Sequence, residues 1–216
     1  MLRTKVKASS ITNLTDARYF AAWEVEWMGF SLDPASESYI PPPNVKAIGE
    51  WIDGPKLTGE FNLQSADEIR TATDMLQLDV IQVGMFTSAA TLIDLQSPVP
   101  VIKEIVVQPG NSNAQLREQF EEFAALAQIF LLDFGKNGID WEQLQQEKEL
   151  SVGFIRELSE QYPCLLSLDF EEETLDEVLN TLNPLGLSFT GSEEEKVGFK
   201  SFEDIDDLFE ILEVQD

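Results

Sequence analysis

Short runs rich in β-branched and aromatic residues alternate with amphipathic stretches from one end of the chain to the other. The strand-like runs are Lys5–Ser9, Trp27–Leu32, Lys56–Phe61, Asp79–Gly84, Val101–Val107, Ile129–Asp133, Cys164–Asp169 and Gly186–Thr190. The stretches between them read as helices. Asp16–Trp23 is one, with Thr12 or Asn13 as its cap. Ser65–Leu76 is another, and Glu68 three residues after Ser65 makes a capping box. Asn113–Ala127 places Leu116, Phe120, Phe123 and Leu126 at helical spacing. Phe202–Leu212 sets Phe202, Ile205, Leu208, Phe209 and Leu212 on one face, with acids on the other. The Pro41-Pro42-Pro43 run reads as a rigid turn into a helix.

Strict strand–helix alternation predicts an α/β fold with a parallel sheet. Eight such units in 216 residues favour a compact (β/α)8 TIM barrel over an open doubly wound sheet. No low-complexity linker divides the chain, so one domain over residues 1–216 is expected.

Composition narrows the function. The net charge of −26 repels phosphate backbones and anionic lipid, which sets nucleic-acid and membrane partners aside. The absence of His removes the commonest general base and transition-metal ligand. Cys164 stands alone, which excludes an internal disulfide and a multi-thiolate zinc site. No run of ~18 apolar residues occurs, and the start lacks the apolar segment of a signal peptide. A cytoplasmic protein without a cofactor is expected, either a monomer or a homodimer.

The run Val6-Lys7-Ala8-Ser9-Ser10-Ile11-Thr12-Asn13-Leu14-Thr15-Asp16-Ala17 resembles the first strand and loop of phosphoribosylanthranilate isomerases, which read V-K-I-C-G-I-T-x-x-x-D-A. Met28-Gly29-Phe30 and Pro34-Ala35-Ser36-Glu37-Ser38-Tyr39-Ile40 continue the match to G-F and P-x-S-x-R-Y-I. Ile81-Gln82-Val83 is similar to the family's V-Q-L-H-G, and Val101-Ile102-Lys103 to its V-I-K. Leu131-Leu132-Asp133 and Gly135 to Trp141 are similar to L-L-D and G-x-x-F-D-W. The resemblance spans most of the chain, in order and in spacing. It implies a (β/α)8 barrel that opens a phosphorylated aminoribose and rearranges it to a ketose in tryptophan synthesis. It also implies a Cys base at the end of the first strand, an Asp acid at the end of the sixth and an Arg after the second that clamps the anthranilate carboxylate. Gly-rich loops after the last two strands would hold the phosphate.

Carried over residue by residue, the acid is Asp133, but the base position is Ser9 and the neighbouring Gly is Ser10. An unassisted hydroxyl is too weakly acidic to act as a base near neutral pH, and no His is present to activate it. Ser38 replaces the clamping Arg, beside Glu37. The seventh-strand loop is Ser167-Leu168-Asp169-Phe170 followed by Glu171-Glu172-Glu173, where S-G-G-L is expected. The eighth is Thr190-Gly191-Ser192-Glu193-Glu194-Glu195, where S-S-G-V-E is expected, with Gly198 and Lys200 left of a later G-x-K element. Carboxylates thus crowd both loops that should cradle a phosphate, and each like-charge contact at ~4 Å costs about 1 kcal/mol even in water.

Several constellations remain. Asp33, Asp133 and Asp169 end strands and would converge on the barrel rim, either as a hard-cation site or as turn and cap residues with Asp133 a relic. Lys7 shares parity with Ser9 and should face the interior. Lys103 is expected to join it, either lysine then pairing with Asp133 as a structural ion pair or an acid/base couple. The two Glu triplets either attract a basic partner or favour helix N-termini. Cys164 reads as a small buried thiol, and Trp23, Trp27 and Trp51 as packing residues.

The leading reading is a barrel of this family that has lost isomerase activity and serves a binding or regulatory role. One alternative is an enzyme in which Asp133, Asp169, Lys7 and Lys103 act on a neutral or cationic small molecule. The other is an isomerase that remains active.

Overall fold

A computed structural model describes residues 1–190, 194–196, 199–200 and 202–214. Eight parallel strands follow one another around a closed barrel in chain order. They are β1 (Lys5–Ser9), β2 (Trp27–Ser31), β3 (Lys56–Phe61), β4 (Val80–Val83), β5 (Val101–Val106), β6 (Ile129–Asp133), β7 (Cys164–Ser167) and β8 (Gly186–Thr190). Closure comes from β1, which pairs with β2 on one side and with β8 along Lys5 to Ser9 on the other. Gly186 permits this seam, because a Cβ there would lie 2.2 Å from the Lys5 carbonyl oxygen.

The connecting helices are α1 (Leu14–Ala22), α2 (Pro42–Gly49), α3 (Ala66–Leu76), α4 (Ala89–Leu95), α5 (Asn113–Phe123), α6 (Trp141–Gln146), α7 (Val152–Gln161) and α8 (Glu172–Leu182). Asn13 is the cap of α1, its side chain accepting from the Asp16 amide at 3.0 Å, so the helix begins two residues before the expected start. The Ser65/Glu68 capping box forms at α3. Helix α5 stops at Phe123, whose carbonyl accepts from both Leu126 and Ala127 and so closes the last turn. After β8, β9 (Glu194–Lys196) runs antiparallel to β10 (Phe199–Lys200), and α9 (Glu203–Leu212) buries Leu208, Phe209 and Leu212.

Two apolar layers follow from strand parity. Outward-facing residues pack under the helices in the main core, while Trp27, Val80, Ile102, Leu131 and Leu165 fill the floor of the barrel. Two residues further along these strands the interior turns polar, at Gly29, Gln82, Glu104, Asp133 and Ser167. Trp23 packs on Phe209 at 5.3 Å between ring centroids. Trp51 departs from the packing role expected of it: it is 67% exposed, with the Arg18 guanidinium 5.4 Å from its ring. No helix among the described residues is long and apolar enough to cross a membrane.

Candidate functional site

The C-terminal ends of the strands open onto a cleft of about 620 Å³. Its walls include Ser9, Ser10, Asp33, Glu37, Ser38, Glu60, Gln82, Glu104, Asp133, Lys136, Ser167 and Ser188. The cleft lies at the face where barrels of this kind carry their chemistry. Serines and carboxylates dominate it.

Lys7 lies beneath the cleft, fully buried, and donates to Glu60 Oε1 at 2.5 Å and to Ser9 Oγ at 2.6 Å. Ser9 and Ser188 share a hydrogen bond of 2.8 Å. Glu60 also accepts from the Ser10 amide at 3.3 and 3.2 Å and from the Ser10 hydroxyl at 3.1 Å. Ser10 has a φ of 55°, a left-handed conformation that costs a non-glycine residue energy, and its side-chain bond to Glu60 offsets part of that cost. Gly29 makes room for the ion pair, since a Cβ there would sit 2.0 Å from Glu60 Oε1 and 2.8 Å from Lys7 Nζ. Lys7 therefore faces the interior as its parity predicts, but its partner is Glu60 and not Asp133.

Across the cleft, Asp133 ends β6. Its Oδ1 accepts from the Lys136 amide at 2.9 Å, which fixes the short turn Gly135–Asn137. That turn brings the Lys136 ammonium onto Glu104 Oε1 and to 3.5 Å from Asp133 Oδ2. Burial pushes the Glu104 carboxyl above its ordinary range; Lys136 opposes the shift, and Asp133 and Glu60 add to it. Burial by itself would lower the Lys136 pKa, but attraction to Glu104, Asp133 and Glu60 outweighs it and leaves the ammonium more firmly protonated.

Lys103 corrects the sequence reading. It faces outward, where its ammonium donates to the Gly84 and Thr87 carbonyls at 2.6 and 3.2 Å and lies 4.3 Å from the centre of the Phe123 ring. Burial pulls its pKa down to about 8, partly countered by Glu104 and Glu122. The interior position on β5 belongs to Glu104.

Asp33 and Asp133 both line the cleft, whereas Asp169 is exposed and outside it. Asp33 Oδ1 accepts from the Ala35 amide at 2.9 Å, as a turn residue does. Among the described residues no group of three carboxylates, thiols or imidazoles is arranged to hold a metal ion. Ser38 lies half-buried in the wall, its amide bonded to Ser36 Oγ at 3.2 Å. Gln82 is buried, and its side-chain carbonyl has no hydrogen-bond partner among the described residues. Gly191 and Ser192 lie outside the described residues, and of Lys200 only the backbone, paired with Glu194, is described. The acids Glu172 and Glu173 occupy the first turn of α8, and Asp207 raises the Glu172 pKa through like-charge repulsion. Cys164 is buried, and burial pushes its thiol up to about 12.

Three site residues carry no motif: Glu60, Glu104 and Lys136. Glu60 shares parity with Thr58 on β3 and is the register partner of Ser31, and the missing side chain of Gly29 leaves room for its carboxylate. Lys136 follows Asp133 by three residues, within reach of one turn.

A family model described as N-(5'-phosphoribosyl)anthranilate isomerase matches residues 6–211. The isomerase of Maridesulfovibrio salexigens is 25% identical over 197 residues, which is 90% of this chain and 91% of that protein. The crystal structure of the Thermus thermophilus isomerase superposes with a TM-score of 0.74 at 28% identity, covering 96% of this chain and 98% of that one. That of Thermotoga maritima superposes with a TM-score of 0.76 at 18% identity, covering 97% and 98%.

Proposed function

The chain belongs to the N-(5'-phosphoribosyl)anthranilate isomerase family, and from that premise we propose that it has kept the family's cleft, has given up the family's reaction, and binds a neutral or cationic small molecule in a binding or regulatory role. The charge of the cleft carries this reading. Asp33, Glu37, Glu60, Glu104 and Asp133 line it, while Lys7 and Lys136, the lysines whose side chains are described at the cleft, are each held by carboxylates of the protein itself. A substrate bearing a phosphate and a carboxylate needs cations that are not already neutralised, and every unscreened like-charge contact at ~4 Å costs it about 1 kcal/mol or more.

The base position supports the same reading. Ser9 accepts from the Lys7 ammonium and is bonded to Ser188, so its neighbours are a cation and a second hydroxyl. Neither is a group that would draw off the Ser9 proton at neutral pH.

The test is an isomerase assay at high protein concentration, with phosphoribosylanthranilate generated in situ and its loss of fluorescence followed. Wild-type protein is expected to show no turnover above background. Turnover that disappears in Asp133→Asn or Glu60→Gln would overturn the reading and make one of those carboxylates the group that moves the proton.

A further inference from the structure

We propose that the rim cleft is a binding site for a primary amine carrying a compact apolar group, such as an arylalkylamine. Its ammonium would lie on Glu104 and Asp133 with Gln82 beside them, and its apolar body against Leu63 and Phe86. The proposal rests on the preceding reading, because a cleft serving a sugar phosphate would select the opposite charge.

The polar half of the site has acceptors in surplus. Glu104 gives one oxygen to Lys136, and Asp33 gives one to the Ala35 amide; the second oxygen of each carries no hydrogen bond among the described residues. Gln82 is a separate observation. It is 6% exposed and two residues from Val80 of the barrel floor, so it points into the mouth of the barrel. Its side-chain carbonyl lacks a donor among the described residues, which a buried amide rarely tolerates without a ligand or water to satisfy it. Its register partner is Glu60 on β3, and on β5 it stands beside Ile102, two residues from Glu104.

An alkylammonium already occupies the position. Lys136 reaches Glu104 and Asp133 from a side chain that is 53% exposed, so it can swing into solvent when a competing amine arrives. The ligand would thus replace an internal ammonium with its own, and the carboxylates would keep their partner.

The apolar half lies on the neighbouring loops. Leu63 and Phe86 line the cleft yet are 63% and 64% exposed. Their loops are tied together: Asn62 Oδ1 accepts from the Phe86 amide at 3.1 Å, and the Thr87 hydroxyl donates to the Asn62 carbonyl at 3.1 Å. A phenyl ring on a loop at the edge of an acidic cleft offers both apolar surface and a face that attracts cations.

Ligand-observed NMR titration with phenethylamine tests the proposal, with hydrocinnamate as the same ring bearing the opposite charge and ethylamine as the charge without the ring. Phenethylamine is expected to bind with a Kd of about 1 mM or tighter, and both comparators roughly tenfold more weakly. Glu104→Gln should weaken phenethylamine roughly tenfold, and Phe86→Ala, at an exposed position that leaves the fold intact, about fivefold. Lys136→Ala removes the internal competitor and should tighten binding several-fold, the reverse of its effect if Lys136 were an anion clamp. No saturable binding to about 10 mM, equal binding of hydrocinnamate, or a Lys136→Ala variant that binds more weakly would overturn it. Failure of these titrations with no isomerase turnover would leave the preceding reading standing; isomerase turnover would overturn that reading by itself.

Discussion

Lys7 and Glu60, 53 residues apart in sequence, form a buried ion pair across the upper barrel, and the pair exists because Gly29 lies between them without a side chain. The pair spans β1 and β3, strands that do not touch, since β2 separates them in the sheet. It is a contact through the barrel interior, and both groups depend on it. Lys7→Met should leave Glu60 buried with no cation and cost about 3 kcal/mol, read from urea denaturation. Lys7→Met combined with Glu60→Gln should recover more than half of that loss, since the neutral amide can still accept from the Ser10 amide. Additive losses in the double variant would mean that the two residues do not couple.

Gly29→Ala tests the same geometry from the other side. The added Cβ would stand 2.0 Å from Glu60 Oε1, so the carboxylate must move and its bonds to Lys7 and Ser10 must lengthen. A loss of roughly 2–4 kcal/mol with an unchanged denaturant slope is expected, comparable to breaking the pair outright. Unchanged stability would mean that the pair has room to shift.

The contrast between Lys7 and Lys103 shows what the sequence discloses and what it withholds. Barrel strands announce themselves as apolar runs, and the observed strands β1, β3, β6 and β8 have the bounds that such runs predict. Both faces of a barrel strand are buried, however, so the run itself does not say which residues point inward. Ser9 belongs to a loop motif that fixes the parity of β1, and Lys7 follows from it. On β5 the adjacent Lys103 and Glu104 sit among Val101, Ile102, Ile105 and Val106, and either phase is equally apolar. Glu104 took the interior because the acidic cleft places it beside Lys136, while Lys103 satisfies its ammonium on loop carbonyls. Asp169 shows a second limit. Parity ends with the strand at Ser167, Leu168 is buried, and the next residue is already turned to solvent.

Lys103 should give stability an alkaline dependence of known sign. Its folded pKa lies near 8 against an ordinary 10.5, so between those values the unfolded chain binds more protons than the folded one. Stability contributed at this position therefore rises as pH increases from about 8 to 10.5 and is flat above that. Denaturation of wild type and Lys103→Met across this window should show the wild type gaining relative to the variant. A constant difference would place the Lys103 pKa at its ordinary value.

Cys164 is buried in β7 with its thiol pushed up to about 12, so little thiolate exists at pH 8. The folded protein should resist alkylation by iodoacetamide, and mass spectrometry should find one modified Cys only after unfolding in urea. Rapid labelling of native protein would mean that β7 opens locally.

Lys136 and Glu104 supply the last test, because here burial and pairing act in opposite directions. Burial raises the folded pKa of Glu104 above that of the unfolded chain, and Lys136 limits the rise. The folded state then binds more protons than the unfolded state as pH climbs from the ordinary carboxylate range, so this group costs stability with rising pH. Lys136→Ala removes the limiting charge. The variant should lose about 1–2 kcal/mol relative to wild type at pH 7, a value kept modest because the lysine side chain is half exposed, and less at pH 5. Adding Glu104→Gln should remove most of the pH dependence of that difference, because the amide does not titrate and only the longer Lys136–Asp133 contact is left. A loss equal at both pH values would instead assign the effect of Lys136 to packing in the Gly135–Asn137 turn, with no part played by the carboxylate it covers.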